Sequence, residues 1–229
     1  MKKSVLAGLP MTFSMNWFRK LTRYEEVLPT LRDYYEHDAR RRDQNPRSYW
    51  KLQEREVFLE YLLKEQRHDL LEIGAGPGWD SLFFQEAGIN TYATDLSFEM
   101  ASLCSDKGLE SCVMEFMHPA FTAATFDAMF ALNCLLHVPR SDIERVLVAL
   151  RRVIKPGGLL FIGAYGGKSQ QGLIDPDDPK DPRFFATYTD DEVIDIVSSY
   201  FDLVRFQAVD SGHYRSGLHF QSMIWRKRT

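Results

Sequence analysis

Leu70-Leu71-Glu72-Ile73 is a short apolar run that enters Gly74-Ala75-Gly76-Pro77-Gly78, and a helical stretch follows at once. This feature constrains the chain most. It demands a buried strand, a turn too tight for side chains, and a helix that returns over the strand. The alternation then continues. Residues 69–73 read as a strand, 79–87 as a helix, 90–94 as a strand, 98–107 as a helix, and 111–114 and 126–132 as strands. Residues 140–153 read as a helix closed by Lys155-Pro156-Gly157-Gly158, and 159–164 as another buried strand. Strands and helices alternating at this spacing predict βαβ units and a doubly wound, mostly parallel α/β sheet.

The two ends differ from this middle. Residues 15–65 have helical periodicity, with Val27, Leu31, Tyr34 and Tyr35 on one apolar face and Trp50, Phe58, Leu59, Leu62 and Leu63 on another. Residues 39–47, basic and ended by Pro46-Arg47, read as a polar break between two helices. Residues 168–183 are rich in Asp, Pro and Gly and predict irregular chain. Thr189 and Glu192 stand three apart, as a capping box requires, and open a helix. Residues 201–209 and 218–226 predict a terminal antiparallel hairpin.

Composition bounds the possibilities. The 229 residues suit one large domain or a domain with an appended segment, and 45% hydrophobic content excludes a mainly disordered chain. The net charge of -4 argues against a dedicated nucleic-acid binder. That charge is uneven: residues 1–70 carry 14 Lys/Arg against 11 Asp/Glu, so the front is basic and the remainder acidic. Cys104, Cys112 and Cys134 form no CxxC pair, so neither a disulfide framework nor a metal site is expected, and the expected setting is the cytoplasm. No apolar run approaches the roughly 18 residues of a membrane span. The apolar stretch after Met1 is broken early by Pro10, which argues against a signal peptide.

Asp95 stands 21 positions after Gly74, where a carboxylate at the end of a second strand accepts ribose hydroxyl protons. A dinucleotide-binding loop would place its third glycine at position 79, where this chain has Trp79, and the Gly-Lys-Ser/Thr ending of a P-loop is missing. The spacing of Glu72, Gly74, Gly76 and Gly78 instead resembles class I S-adenosylmethionine (SAM) dependent methyltransferases. Three further segments carry the same resemblance: Asp95-Leu96-Ser97-Phe98-Glu99-Met100, residues 126–138, and Arg152-Val153-Ile154-Lys155-Pro156-Gly157-Gly158. The resemblance implies a seven-stranded sheet with a C-terminal antiparallel hairpin. It divides the chain into a helical lid on the substrate side, residues 1–66, and a SAM-binding domain, residues 67–229, within one structural unit.

The resemblance also implies roles. Gly74, Ala75, Gly76 and Gly78 would pass under the methionine part of SAM, with Glu72 supporting its ammonium. Asp95 would hold the ribose, Leu96 and Met100 would flank the adenine, and Glu115, beside Phe116 and Met117, would meet the adenine amino group. Ala131, Leu132 and Asn133 would end the fourth strand beside the reacting methyl. Each apolar member is equally a packing residue.

The acceptor is less defined. His137, just past the fourth strand, is the best placed general base, and a packing or hydrogen-bonding role stands beside that reading. Tyr35, Arg42, Trp50, Tyr165, Tyr188 and Tyr214 are candidate acceptor contacts, with Arg183, Phe184, His213 and His219 near them in sequence. Arg42 or Arg47 could pair with an anion or form a solvated basic face. The expected reaction is transfer of the SAM methyl group to a small-molecule acceptor, leaving S-adenosylhomocysteine, by a monomer or homodimer without membrane attachment. A tRNA-modifying methyltransferase and a SAM-binding protein without transferase activity remain as alternatives.

Overall fold

Strands apolar on both faces need cover on two sides and cannot sit at a sheet edge. β1 (Asp69–Ile73), β4 (Phe126–Leu132) and the middle of β5 (Ile154–Gly166) are of this kind. The structure is a computed structural model that describes residues 23–45, 48–174, 183–210 and 217–229. It places these three side by side at the centre of a seven-stranded sheet. β2 (Asn90–Asp95) and β3 (Glu110–Val113) extend the sheet beyond β1, and β9 (His219–Lys227) and β8 (Phe201–Val209) extend it beyond β5. The order is β3-β2-β1-β4-β5-β9-β8, with β9 antiparallel to both its neighbours and the other pairings parallel. The expected doubly wound sheet and terminal antiparallel hairpin are therefore both present. Residues 211–216 of the hairpin connection lie outside the described residues.

Helices cover the two faces. On one, Leu71, Ile73, Met129, Ala131, Leu160 and Ile162 pack against α5 (Ile143–Val153), α6 (Asp190–Ser198) and the first half of α1 (Tyr24–Gln44). On the other, Leu70, Phe130, Phe161 and Ile224 meet Phe58 and Leu62 of α2 (Tyr49–Lys64) and Phe84 of α3 (Trp79–Glu86). α4 (Phe98–Asp106) packs beside β2 through Cys104. Ser97 caps it by accepting the Met100 N–H at 3.1 Å. The Thr189–Glu192 capping box at α6 forms in both directions. Among the described residues no helix is long and apolar enough to cross a membrane.

Two local expectations are corrected. The polar stretch 39–44 does not break the helix. Ala39 is buried and Asp38 binds Arg41 and Arg42 one turn ahead, so α1 runs on to Gln44. Residues 46–47 lie outside the described residues, as do 15–22 of the expected first helix. The 168–183 segment is not all irregular either. β6 (Gln170–Ile174) pairs antiparallel with β7 (Arg183–Thr187) as a separate two-stranded sheet. Only the Asp-Pro tract between them, residues 175–182, lies outside the described residues.

Strand order reverses at β1, since β2 lies to one side and β4 to the other. The crevice at the carboxyl ends of those strands is where such sheets bind ligands.

Candidate active site

The turn after β1 fills that crevice. Gly74 has φ +62°, and a Cβ on it would lie 2.4 Å from the Cβ of Cys134, so the β1 and β4 loops can touch only because Gly74 is bare. Gly76 has φ +57° and, among the described residues, no atom within 4 Å of where its Cβ would be, so its open side forms cavity wall. Asp95, at the end of β2, braces the loop: Oδ2 accepts the Gly76 N–H at 2.8 Å and Oδ1 accepts the Ser97 N–H at 2.9 Å. Burial raises the Asp95 carboxyl pKa, although these N–H groups and Arg42 pull the other way. Glu72 is buried and accepts the Ser81 hydroxyl.

These residues wall a cavity of about 250 Å³. Of the expected residues, Glu72, Gly74, Ala75, Gly76, Asp95, Leu96, Met100, Phe116, Leu132, Asn133 and His137 line it, together with Tyr35 and Arg42 from α1. Asn133 adds a specific signal. Its backbone sits at φ +53°, and its side-chain Oδ1 is buried with no hydrogen-bond partner among the described residues. An amide oxygen so placed can take a donor from a ligand or a water. With a carboxylate that has lone pairs to spare and a bare glycine wall, this set fits a cofactor bearing an ammonium and a ribose diol.

α1 closes the opposite wall through Tyr24, Leu31, Tyr35 and Arg42. Tyr24 stacks on Phe116 with ring centroids 5.9 Å apart and 8° between planes. Tyr35 and His137 form the polar centre of this wall. The His137 Nδ1 lies 2.7 Å from the Phe184 carbonyl oxygen, which only accepts, so Nδ1 carries a proton. In the neutral ring Nε2 is then the acceptor, and the Tyr35 hydroxyl donates to it at 2.6 Å. Arg183 in turn donates to the Tyr35 oxygen at 3.1 Å. Burial raises the Tyr35 phenol pKa, and the guanidinium groups of Arg42 and Arg183 oppose that rise.

Other expected residues stand off the cavity wall. Gly78, at φ +84°, begins α3, and a Cβ there would press on Cys104 and Leu109, so its role is packing. Glu115 turns back on its own loop, accepting the Met117 N–H at 2.7 Å and pairing with His118. Met117 packs against the core and Ala131 lies inside the sheet. Trp50 and Tyr165 pack with Phe220, and the Lys51 ammonium lies over both rings. Tyr188 lies under the Arg140 guanidinium beside a separate, small apolar cavity, its hydroxyl buried and its phenol pKa pushed up to about 12 by burial. Tyr214, with His213, lies outside the described residues.

The cavity also takes in residues that the sequence did not assign to a site: Tyr24, Leu31, Asn45, Ser48, Lys51, Pro77, Asp80 and Cys134. Pro77, Asp80 and Cys134 adjoin motifs and were within reach of a wider reading. Tyr24, Ser48 and Lys51 belong to no local pattern.

The reversed strand order, the glycine turn and the acid ending β2 define a class I SAM-dependent methyltransferase fold. Residues 71–162 match the family described as "Methyltransferase domain". In solved structures the fold recurs in the 1,6-didemethyltoxoflavin-N1-methyltransferase of Burkholderia thailandensis, which holds 1,6-didemethyltoxoflavin and S-adenosylhomocysteine. The two are 21% identical over 91% of this chain and 92% of that one, with a TM-score of 0.71. Demethylmenaquinone methyltransferase of Thermobifida fusca is 34% identical over 100 residues, 41% of this chain and 42% of that protein. Phosphoethanolamine N-methyltransferase 2 of Caenorhabditis elegans is 27% identical over 105 residues, 42% of this chain and 24% of that protein. The chain spans less than half the length of these curated relatives.

Proposed function

We propose that the protein transfers the methyl group of SAM to a small-molecule acceptor held beneath α1. The observation that carries this is that α1 and the glycine turn line one cavity, so that cofactor side and acceptor side share one space. Bound SAM supplies a methyl carbon activated by a cationic sulfonium. The protein's part is to hold the nucleophile in line with that carbon and to keep water out. Asp95 receives the ribose hydroxyls on lone pairs that Gly76 and Ser97 leave unused. Leu96, Met100 and Phe116 wall the adenine, and the Asn133 amide oxygen takes a donor of the methionine end. Tyr24, Leu31 and Tyr35 exclude water on the acceptor side.

The test pairs calorimetry with product detection. SAM should bind the wild type and bind Asp95→Ala much more weakly, and S-adenosylhomocysteine should form from SAM and a cellular metabolite extract. SAM binding with no turnover would favour a protein that binds the cofactor without transferring methyl groups. Salt-sensitive retention of tRNA, with methylation of it, would favour the RNA reading.

A further inference from the structure

The ring of His137 is buried, and its two nitrogens are spoken for by Phe184 and Tyr35. His137 lines the cavity, but with both nitrogens engaged its Nε2 meets an acceptor through the Tyr35 hydroxyl. Tyr35 lines the cavity; its oxygen donates to Nε2, accepts from Arg183, and as a phenol keeps a further lone pair. From these contacts we infer that Tyr35 is the group that meets the acceptor, with His137 behind it as the destination of the proton. The acceptor is then one whose attacked atom carries an acidic proton: a phenol, an enol or a ring N–H. This rests on the methyltransferase reading above and extends it to the class of acceptor.

The step balances. The acceptor atom forms its bond to the methyl carbon, and the carbon–sulfur electron pair stays on sulfur. The acceptor's proton passes to Tyr35 Oη while the Tyr35 proton passes to His137 Nε2. Products are the methylated acceptor, a neutral thioether, a neutral phenol and an imidazolium whose Nδ1–H still faces the Phe184 carbonyl. One positive charge leaves sulfur and one appears on the imidazole, so the net charge of the site is constant. An acceptor that reacts as a tertiary amine or a carboxylate has no proton to give and leaves this pair without use.

The surroundings suit a relay that passes a proton on. Arg183, from β7, is buried with its guanidinium 4.5 Å from the Tyr34 ring centroid and 5.1 Å from that of Phe185. As a positioning residue it favours a transient phenolate and disfavours a lasting imidazolium. α1 adds Arg42, tied to Asp38 at 2.7 Å, and β2 adds Asp95. β5 carries Lys155, held at the strand's start by Asp69 and Asp127, and Tyr165, packed with Trp50 and Phe220.

The test uses the full chain as wild type, Tyr35→Phe and His137→Gln. Histidine nitrogen resonances of the wild type should show His137 protonated on Nδ1 and not on Nε2, and Tyr35→Phe should move the Nε2 resonance. A ring protonated on Nε2 alone, or an Nε2 resonance unmoved by Tyr35→Phe, overturns the pair. Turnover is then read as S-adenosylhomocysteine formed from a panel of simple phenols, enolic dicarbonyls and azoles, set against tertiary amines. Turnover should lie with the first group, and Tyr35→Phe should lower it about 100-fold or more while altering the pH–rate profile and sparing SAM affinity. Turnover confined to amines or absent from the panel, or a Tyr35→Phe profile like the wild type, overturns the assignment. Failure of the wild type to bind SAM defeats the methyltransferase reading separately, because the His137 tautomer is read without cofactor.

Discussion

Glu36 on α1 reaches across to the start of α4, where its carboxylate accepts the Phe98 N–H at 2.7 Å and the Glu99 N–H at 2.9 Å. One helix thereby supplies the missing partners at the end of another, where the helix dipole also favours negative charge. The same helix holds Lys107 through Asp43 at 2.8 Å, and the Asp43 carbonyl accepts the Trp79 indole N–H at 3.2 Å. Four bonds thus fasten α1 over the cavity. Glu36→Ala should lower stability by about 1 kcal/mol near neutral pH. Burial pulls the Glu36 carboxyl upward, but the bonds from Glu99, Phe98 and Ser97 outweigh it and hold the pKa below its usual value. A depressed carboxylate stabilises above its unfolded pKa and loses that contribution as pH falls through the folded one. Denaturant midpoints of wild type and variant should therefore converge on acidification below about pH 4.

Asp95 has the opposite sign. Burial lifts its pKa, so it takes up a proton at a higher pH than an exposed aspartate. A protonated Asp95 loses acceptor capacity towards both Gly76 and a ribose. SAM affinity measured by calorimetry should weaken on acidification earlier than an ordinary carboxylate would cause. Asp95→Asn should bind weakly at neutral pH and show a flatter pH dependence.

The two glycines of the turn separate strain from occupancy. Gly74→Ala combines a left-handed backbone, which costs about 1–2 kcal/mol, with a Cβ driven into Cys134. Its thermal midpoint should fall clearly, because the β1 and β4 loops must part. Gly76→Ala carries the backbone strain without such a clash, since its Cβ meets no atom of the described residues. Its fold should survive with a small loss of stability, and the loss should appear in SAM affinity measured by titration.

The middle of the chain was legible because its signals are local. Each central strand is apolar on both faces, and the turn after β1 carries its own glycines, so β1, β4 and the proposed cofactor wall follow from residues close in sequence. The proposed acceptor wall is built by long-range contact. Tyr24, Leu31 and Tyr35 share α1 with Val27, and periodicity marks an apolar face without telling which residues meet the sheet and which meet the cavity. Arg183 follows directly on an Asp-Pro tract that reads as irregular, yet it begins a strand whose partner is β6. The His137–Tyr35 bond joins residues 102 positions apart, and no spacing rule reaches across that distance.

α2 tests how far the first 66 residues act as a separate lid. Phe58 is fully buried, with ring centroids 5.5 Å from Phe161, 5.7 Å from Phe130 and 6.2 Å from Phe84. Those partners lie on two central strands and α3, while α2 also brings Lys51 to the cavity; we propose that α2 packs as a layer of the sheet domain and that α1 supplies most of the cover. Phe58→Ala should open a core cavity and cost about 3–5 kcal/mol, seen as a large fall in the denaturant midpoint of a single transition. Leu31→Ala, on α1, removes a buried contact as well, but one on the cavity side. It should cost less and raise solvent access to the acceptor chamber, read as faster amide exchange along α1 with α2 unchanged. If Phe58→Ala instead loosened only residues before β1, leaving the sheet's exchange rates as in the wild type, α2 would belong to the lid.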